Sequence, residues 1–517
     1  MNKKPYYITT PIYYVNDVPH IGNAYTTLAA DILARFHRLD GYDVFFLTGT
    51  DEHGQKTEKA AEKNKTTPLE LADRVVENYR KLWKHLQISN DDFIRTTEDR
   101  HKKVVLDIIQ KVIKKGDIYL GQYEDWYCIP CEAFWTETQI TDGNCPTCSR
   151  KVEKLKEESY FFRMSKYEKE LLAHIEKNPD FIQPESRRNE VVSFIKTGLR
   201  DLSISRTTIS WGIPVPEIEK TNKKHILYVW FDALINYLSG IGYLENSSQF
   251  NHYWSTAIHL IGKDILRFHA VYWPTMLLSI GLPLPKKIFA HGWITEKSGE
   301  KISKSKGNAI DPYAVTQEFG LDPLRYFLFR EIPFGLDGEY SREAFIHRVN
   351  SDLANDYGNL LSRTLTMVQK YCKGVVPQKP KNLTSQDQLL INLSQKVVQE
   401  TKDHLQAISF SKALIAIWTL IGATNRYLET MAPWKLAKEG KTQELEKTLY
   451  LCLEVLRISA LLTYAFMPES SQKIWSALGI QDKIEEHTLL ESSTWGHIQE
   501  GQLTHIIPPL FPRIQTS

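Results

Sequence analysis

The opening strand, helix and strand constrain this chain's fold more than any other feature. Residues 6–9 (Tyr-Tyr-Ile-Thr) form a short apolar strand pattern, followed by a turn rich in Pro, Asn and Asp. Leu28, Ile32, Leu33, Phe36 and Leu39 then recur at spacings of three and four, the period of a helix with one buried face. Val44-Phe45-Phe46-Leu47 reads as a buried strand, stopped by the turn-forming Gly49-Thr50-Asp51. Elements in this order fold as a right-handed βαβ unit, so the expected sheet is parallel. Similar apolar runs at 226–231 and 257–261 are expected to add strands to it.

The 517 residues amount to roughly three domains at about 150 residues each. Between the strand patterns, 116–225 differs in character, with four of the six cysteines, charge runs and Ser/Thr/Arg turns. It is expected to be an insertion between two halves of one α/β domain, 1–115 and 226–295. A linker with a lysine-rich loop would occupy 296–345. From about 346 onward the pattern is helical: Val349, Leu353, Leu360 and Leu361, then Leu390, Leu393 and Val397, then 411–430 and 443–466, with a break at Pro433-Trp434. Helices joined this closely form a bundle.

Composition excludes several classes. Lys and Arg number 64 against 62 Asp and Glu, so nucleic acid would have to be held by local patches rather than bulk charge. With 42% apolar residues and 24% charged, the chain can bury large cores. It has no apolar run long enough for a membrane span. The N-terminus, broken by Pro5, Thr9, Thr10 and Pro11, lacks a secretory core. Six cysteines in so long a chain do not build a disulfide scaffold, so a reducing, cytoplasmic location is expected.

Neither common phosphate-binding loop is present. Gly440-Lys441-Thr442 lacks the required upstream glycine, since residue 435 is Lys, and no Gly-x-Gly-x-x-Gly follows the first strand. Instead His20-Ile21-Gly22-Asn23 opens the first helix. Backbone N–H groups and a partial positive charge at a helix start suit a triphosphate, and Gly22 admits close approach. A plain helix cap is the alternative. Lys301-Ile302-Ser303-Lys304-Ser305-Lys306 lies between Gly299 and Gly307 and reads as a mobile basic loop or a solvated one. Cys128-Ile129-Pro130-Cys131 and Cys145-Pro146-Thr147-Cys148, thirteen residues apart, have the spacing of a tetrahedral four-thiolate zinc site, with Gly143 turning the second knuckle. Such a site is closed, so one structural zinc per chain is expected. Cys372 and Cys452 sit in helical patterns and read as packing residues.

Taken together, His20–Asn23 and Lys301–Ser305 resemble the HIGH and KMSKS signatures of class I aminoacyl-tRNA synthetases, with Asn23 and Ile302 as departures. Thr48–Gly54, Tyr228–Ala233 and Gly262–His269 are similar to motifs of the methionyl-tRNA synthetase family. The resemblance implies a doubly wound, Rossmann-like catalytic domain with a zinc-bearing insertion, followed by an all-α anticodon-binding bundle. It implies that methionine is joined to ATP as methionyl-adenylate and passed to the 3′-terminal adenosine of methionine tRNA, initiator and elongator alike. His20, Asn23, Lys301 and Lys304 would be catalytic. Gly22, Arg206 and Asp264 would join them on ATP, which brings Mg²⁺. A methionine pocket of Ile12, Tyr14, Trp230, Ala233, Leu234, Tyr237, Ile265 and His269 is implied, with Asp51 on the α-ammonium. Aromatic walls suit a polarizable thioether, and Tyr14 and His269 are each expected to aim a polar group at the sulfur. Asn359, Arg363 and Trp434 would meet the anticodon by stacking and edge hydrogen bonds. A class I synthetase for another small apolar amino acid is the alternative, weakened because only about 110 residues are inserted. A small nucleotidyltransferase would lack the bundle, and a zinc-ribbon tRNA-binding protein would not need His20, Gly22 and both lysines. With no further oligonucleotide-binding domain after the bundle, a monomer is expected, binding neither DNA nor membrane.

Overall fold

The computed structural model describes residues 3–16, 19–137, 139–216, 218, 223–296, 302 and 310–515. They form two compact units. One comprises Pro5–Pro19 and Val44–His291, the other Met1–Lys4, His20–Asp43 and Gly292–Ser517.

The first unit is built on strands β1 (Pro5–Tyr14), β2 (Asp43–Asp51), β3 (Asp92–Arg95), β4 (Ile118–Cys128), β5 (Ala133–Trp135), β6 (Glu153–Phe162), β7 (Ile182–Gln183), β8 (Leu202–Ser203), β9 (Ser205–Arg206), β10 (Ile226–Leu227), β11 (Ile258–Gly262) and β12 (Lys287–His291). Its main sheet has the order β3-β2-β1-β11-β12-β7. The pairings of β2 with β3, β1 with β11, β11 with β12 and β12 with β7 are parallel, with Ile8 opposite Ile258 and Ile288 opposite Ile182. Tyr7, Ile8, Phe46, Leu260 and Ile288 are fully buried, the near-continuous apolar run that a parallel sheet covered on both faces requires. On one side of β1 lies β2, the next strand in the chain. On the other lies β11, more than 200 residues later. The carboxyl ends of β1 and β11 therefore mark a switch in strand order, where open parallel sheets bind their ligands.

Two expectations change here. The run 226–231 does not become a strand of the main sheet. Only Ile226–Leu227 is extended, pairing antiparallel with β9, and a helix starts at Val229 (Val229–Ala233). Tyr228 O accepts from Phe231 N and Asp232 N, closing the first turn. An apolar run this short carries no period that separates a buried strand from a buried helix. Second, Ile182–Gln183, within the interval read as an insertion, pairs with the edge of the main sheet. The rest of that interval includes an antiparallel sheet of order β5-β4-β6-β8, dominated by the long β4–β6 hairpin.

The second unit is helical. Helix Ile21–Leu39 carries Asp31, whose Oδ2 accepts from fully buried Arg325 at 2.6 Å, while Arg325 Nε donates to Phe466 O at 2.8 Å. Helices Ser385–Gln406, Phe410–Met431 and Thr442–Thr463 form the bundle with Asn359–Cys372, which continues a wide-turned segment over Val349–Gly358. Thr442–Thr463 is buried on every face from Thr448 onward, as a central helix must be. Ala432, at φ +44°, ends Phe410–Met431 in a left-handed residue, and Pro433 starts the next helix. No helix among the described residues is long and apolar enough to cross a membrane.

Candidate active site

Three of the expected site residues lie at the carboxyl edge of the main sheet: Tyr14 ends β1, Asp51 ends β2, and Asp264 follows β11. Gly262 permits the last of these, because a Cβ there would lie 2.6 Å from Asp264 Oδ1.

The expected apolar pocket assembles in this unit. Trp230 stacks on Phe268 with centroids 3.9 Å apart and rings 3° from parallel. Tyr14 and His269 meet Trp230 edge-on at 6.5 Å and 6.0 Å. Ala233, Leu234 and Tyr237 are buried, and Ile12, Tyr14 and Ile265 are half-buried against the same core. The helix Val229–Ala233 supplies Trp230 and Ala233, so the unexpected turn at Tyr228 shapes the pocket. His269 is engaged through both ring nitrogens. Its Nε2 faces Tyr237 Oη at 2.7 Å and its Nδ1 faces Ile265 O at 3.0 Å. A carbonyl can only accept, so Nδ1 carries the proton and Nε2 accepts from the tyrosine. Burial lowers this imidazole's pKa to about 4, leaving it neutral. Neither nitrogen is left for a thioether. The Tyr14 hydroxyl and Trp230 Nε1 are buried without hydrogen bonds among the described residues.

Asp51 is 3% exposed, and its Oδ1 lacks a hydrogen bond among the described residues. Burial first, then Glu132 and Asp232, push its pKa well above the usual carboxylate range, while Lys56 opposes them. A buried acid in this state is completed by a cation. Behind it lies a constellation that the sequence reading missed. Asp232 Oδ2 meets His53 Nδ1 at 2.7 Å and Oδ1 meets His101 Nε2 at 2.8 Å, while His101 Nδ1 reaches Ser239 Oγ at 3.0 Å. Burial alone would raise Asp232, but the two histidines outweigh it and hold its pKa down to about 2. This chain ties the pocket helix to the loop after Asp51. The His53 half had a visible signal, in Thr48–Gly54. Asp232 lies in Tyr228–Ala233, also singled out in the sequence, though its two histidine partners were not legible there.

Arg206 is 4% exposed in an aromatic box, its guanidinium 4.3 Å from the Phe134 centroid, 5.0 Å from Tyr228 and 5.3 Å from Tyr127. Nη1 donates to Ser203 Oγ at 2.9 Å, and Nε lies 3.5 Å from Glu157 Oε1. Nε and Nη2 have no hydrogen bond among the described residues, so the buried cation retains unused donors. Arg206, Gly54, Glu132 and Tyr228 line one cavity.

In the second unit, His20 caps the helix Ile21–Leu39. Its Nδ1 accepts from Gly22 N at 3.0 Å, and Asn23 Oδ1 accepts from His20 N at 3.0 Å. Ile21 N donates to Ile310 O at 3.2 Å, so the leading backbone N–H groups are partly spent within the protein rather than all free. A Cβ on Gly22 would come within 2.9 Å of His20 Cε1. Lys301 and Lys304 lie outside the described residues. Between them, Ile302 is buried and donates its N–H to Ile294 O at 3.0 Å. Arg363 sits 5.8 Å from the Trp434 ring and 3.4 Å from Glu429 Oε1, with exposed Asn359 one turn before it.

The four knuckle cysteines converge, their Sγ atoms all within 4.8 Å of one another. Cys128 and Cys148 are 3.6 Å apart, and Cys131 and Cys145 are 3.8 Å apart. A tetrahedron with Zn–S of about 2.3 Å has edges of about 3.8 Å, so the donor set fits zinc. Backbone N–H groups of Cys148 and Thr147 point at Cys145 Sγ, the outer contacts that stabilise a thiolate. Gly143, at φ +74°, makes the expected turn, and Val152 N closes it on Gly143 O at 3.0 Å.

The family described as tRNA synthetases class I (M) matches residues 6–155 and 149–365, and that described as the anticodon binding domain of methionyl tRNA ligase matches 376–517. The parallel sheet, its ligand edge and the helical bundle are thus those of the class I aminoacyl-tRNA synthetases. Methionine–tRNA ligase of Caldanaerobacter subterraneus subsp. tengcongensis is 52% identical, over 99% of this chain and 79% of that protein. The Bacillus subtilis methionine–tRNA ligase is 48% identical, over 99% and 78%. Among solved structures, Mycobacterium tuberculosis methionyl-tRNA synthetase in complex with methionyl-adenylate is 44% identical with a TM-score of 0.93, covering 99% of this chain and 100% of that one. The chain belongs to the methionyl-tRNA synthetase family.

Proposed function

We propose that this chain activates methionine with ATP and transfers it from methionyl-adenylate to the 3′ end of methionine tRNA. The observation that carries this reading is the likeness, across nearly the whole chain, to an enzyme solved with methionyl-adenylate. In the first step, the methionine carboxylate attacks the α-phosphate of ATP in line and pyrophosphate leaves. No covalent enzyme nucleophile is needed, so the protein contributes positioning and charge stabilisation. Asp51 receives the α-ammonium, and Trp230, Tyr237 and their neighbours enclose the thioether. Neutral His269 holds Tyr237 rather than touching sulfur. Asp264 serves the ribose, and Arg206 brings its unused donors to ATP. His20, Gly22 and Asn23, with Lys301 and Lys304, act on the phosphates. Loss of one such lysine costs about 2.7–4 kcal/mol of barrier, roughly 10²–10³ in rate. Mg²⁺ bound with ATP supplies charge neutralisation on the phosphate oxygens. Cys128, Cys131, Cys145 and Cys148 would hold zinc, which would fold the knuckle rather than take part in the reaction. In the second step the ribose hydroxyl of the tRNA's terminal adenosine takes the methionyl group and AMP leaves, with Asn359, Arg363 and Trp434 selecting the tRNA by its anticodon.

Amino-acid-dependent ATP–pyrophosphate exchange tests the reading. Methionine alone among the twenty standard amino acids should drive rapid exchange. Faster exchange with leucine, isoleucine or valine would assign the pocket to another apolar substrate.

A further inference from the structure

Two buried carboxylate oxygens near the pocket lack hydrogen bonds among the described residues: Asp51 Oδ1 and Glu132 Oε2. Glu132 is 1% exposed and directly follows Cys131. It holds a left-handed backbone conformation at φ +49°, which a residue with a Cβ keeps only where its surroundings impose it. Those surroundings are its own main-chain bonds. Its carbonyl accepts from Tyr228 Oη at 2.5 Å, and its N–H donates to Ile129 O at 3.2 Å. The carboxylate is pressed against the loop that carries Asp51. A Cβ on Gly54, itself at φ +95°, would lie 3.0 Å from Glu132 Oε1. Burial first and Glu132 next raise the pKa values of Tyr14 and Asp51, and the Tyr14 hydroxyl faces the Glu132 carboxylate, so the three groups share one electrostatic environment.

Lys56 faces this acidic pair. Lys56 Nζ lies 3.5 Å from Glu132 Oε2 and 3.6 Å from the Tyr14 ring centroid. The Glu132 distance is that of an ion pair without good hydrogen-bond geometry. Lys56 stands beside this pair of buried carboxyl groups, and Asp51 Oδ1 and Glu132 Oε2 keep acceptor capacity that a second cation would fill. Resting on the reading of this pocket as the methionine site, we propose that Glu132 is a second acidic residue of the ammonium subsite, acting with Asp51 on the substrate's α-ammonium, with Lys56 as its counter-ion while the subsite is empty. The knuckle thereby contributes a residue to amino-acid selection as well as a fold.

The test compares methionine with 4-(methylthio)butanoate, which keeps the thioether and carboxylate but has no amino group. Both are titrated as ligands of the zinc-loaded full chain, wild type and variants. Glu132→Gln should weaken methionine binding about 10-fold or more, the worth of a hydrogen bond to a charged group. It should leave 4-(methylthio)butanoate unchanged, and Glu132→Asp should recover part of the loss. Methionine binding at wild-type strength in Glu132→Gln would overturn the proposal. So would equal losses for both ligands, or loss of zinc with loss of both, since either outcome assigns Glu132 to the fold of the knuckle. Asp51→Asn separates the proposal from the reading beneath it. If that variant still discriminates the two ligands as wild type does, the pocket is not the ammonium site. If it loses discrimination while Glu132→Gln does not, only the role of Glu132 falls.

Discussion

His269 was expected to meet the substrate, and in the folded chain its ring nitrogens are engaged by Tyr237 Oη and Ile265 O. Its environment gives a pH signature. Burial lowers the pKa from 6.5 to about 4, so the unfolded chain takes up a proton that the folded chain refuses. Stability attached to the neutral ring is therefore present above pH 6.5 and is lost as pH falls from 6.5 towards about 4. His269→Gln removes the titrating group. The wild-type advantage in unfolding free energy over this variant should shrink by on the order of 3 kcal/mol across that window. Denaturant titrations of both proteins measure it, and an advantage that does not change with pH would refute the buried neutral imidazole. Asp232 shows the opposite case, a residue whose partners exist only in the fold. His53 and His101 come from distant parts of the chain to hold it ionised, and nothing around Phe231-Asp232-Ala233 in the sequence announces them.

Among the elements, the knuckle brings the Sγ atoms of four cysteines together. The β4–β6 hairpin pairs continuously from Ile118 with Phe162 to Tyr127 with Glu153. The loop beyond it is held by few main-chain bonds, among them Cys145 N to Arg150 O at 2.8 Å and Ser149 N to Cys145 O at 2.8 Å. Four thiolates without a metal would repel one another, so zinc bound there would fix the loop's order. Elemental analysis should find one zinc per chain. Chelation, or Cys145→Ser, should raise amide exchange across 128–152 by orders of magnitude, because structural zinc contributes roughly 10–16 kcal/mol of apparent binding free energy in zinc-finger peptides. Protection in β1 and β11 should persist. Metal-free protein with a fully protected loop would contradict this assignment. The pocket helix Val229–Ala233 teaches a different lesson about elements. Its composition suited a strand, yet Phe231 N and Asp232 N both donate to Tyr228 O and close it as a helix, while Tyr228 Oη bonds Glu132 O at 2.5 Å.

For the whole molecule, Asp51, Trp230 and Tyr237 lie in the sheet unit and Trp434 in the helical one, which separates two assays. Trp434→Ala should lower the efficiency of charging methionine tRNA by roughly 5- to 150-fold, the worth of about 1–3 kcal/mol of base stacking. ATP–pyrophosphate exchange should be unaffected. Because Trp434 also packs near Arg363 at a helix break, thermal unfolding of the variant must match wild type. A stably folded variant that charges tRNA normally would move anticodon reading elsewhere. The sequence by itself determined whatever depends on neighbours within a turn or two: the period of the helix ending at Leu39, the strand at Val44–Leu47, the paired cysteine spacings, and the bundle helices with their stop before Pro433. These patterns were legible because backbone geometry repeats every two or 3.6 residues and a metal knuckle closes locally. Tertiary structure alone decided that β11 falls beside β1, that Tyr14, Asp51 and Asp264 share one edge, that His53 and His101 meet at Asp232, and that Glu132 is pressed against Gly54. Those contacts join residues tens to hundreds of positions apart, where only packing and burial, and no local period, choose the partner.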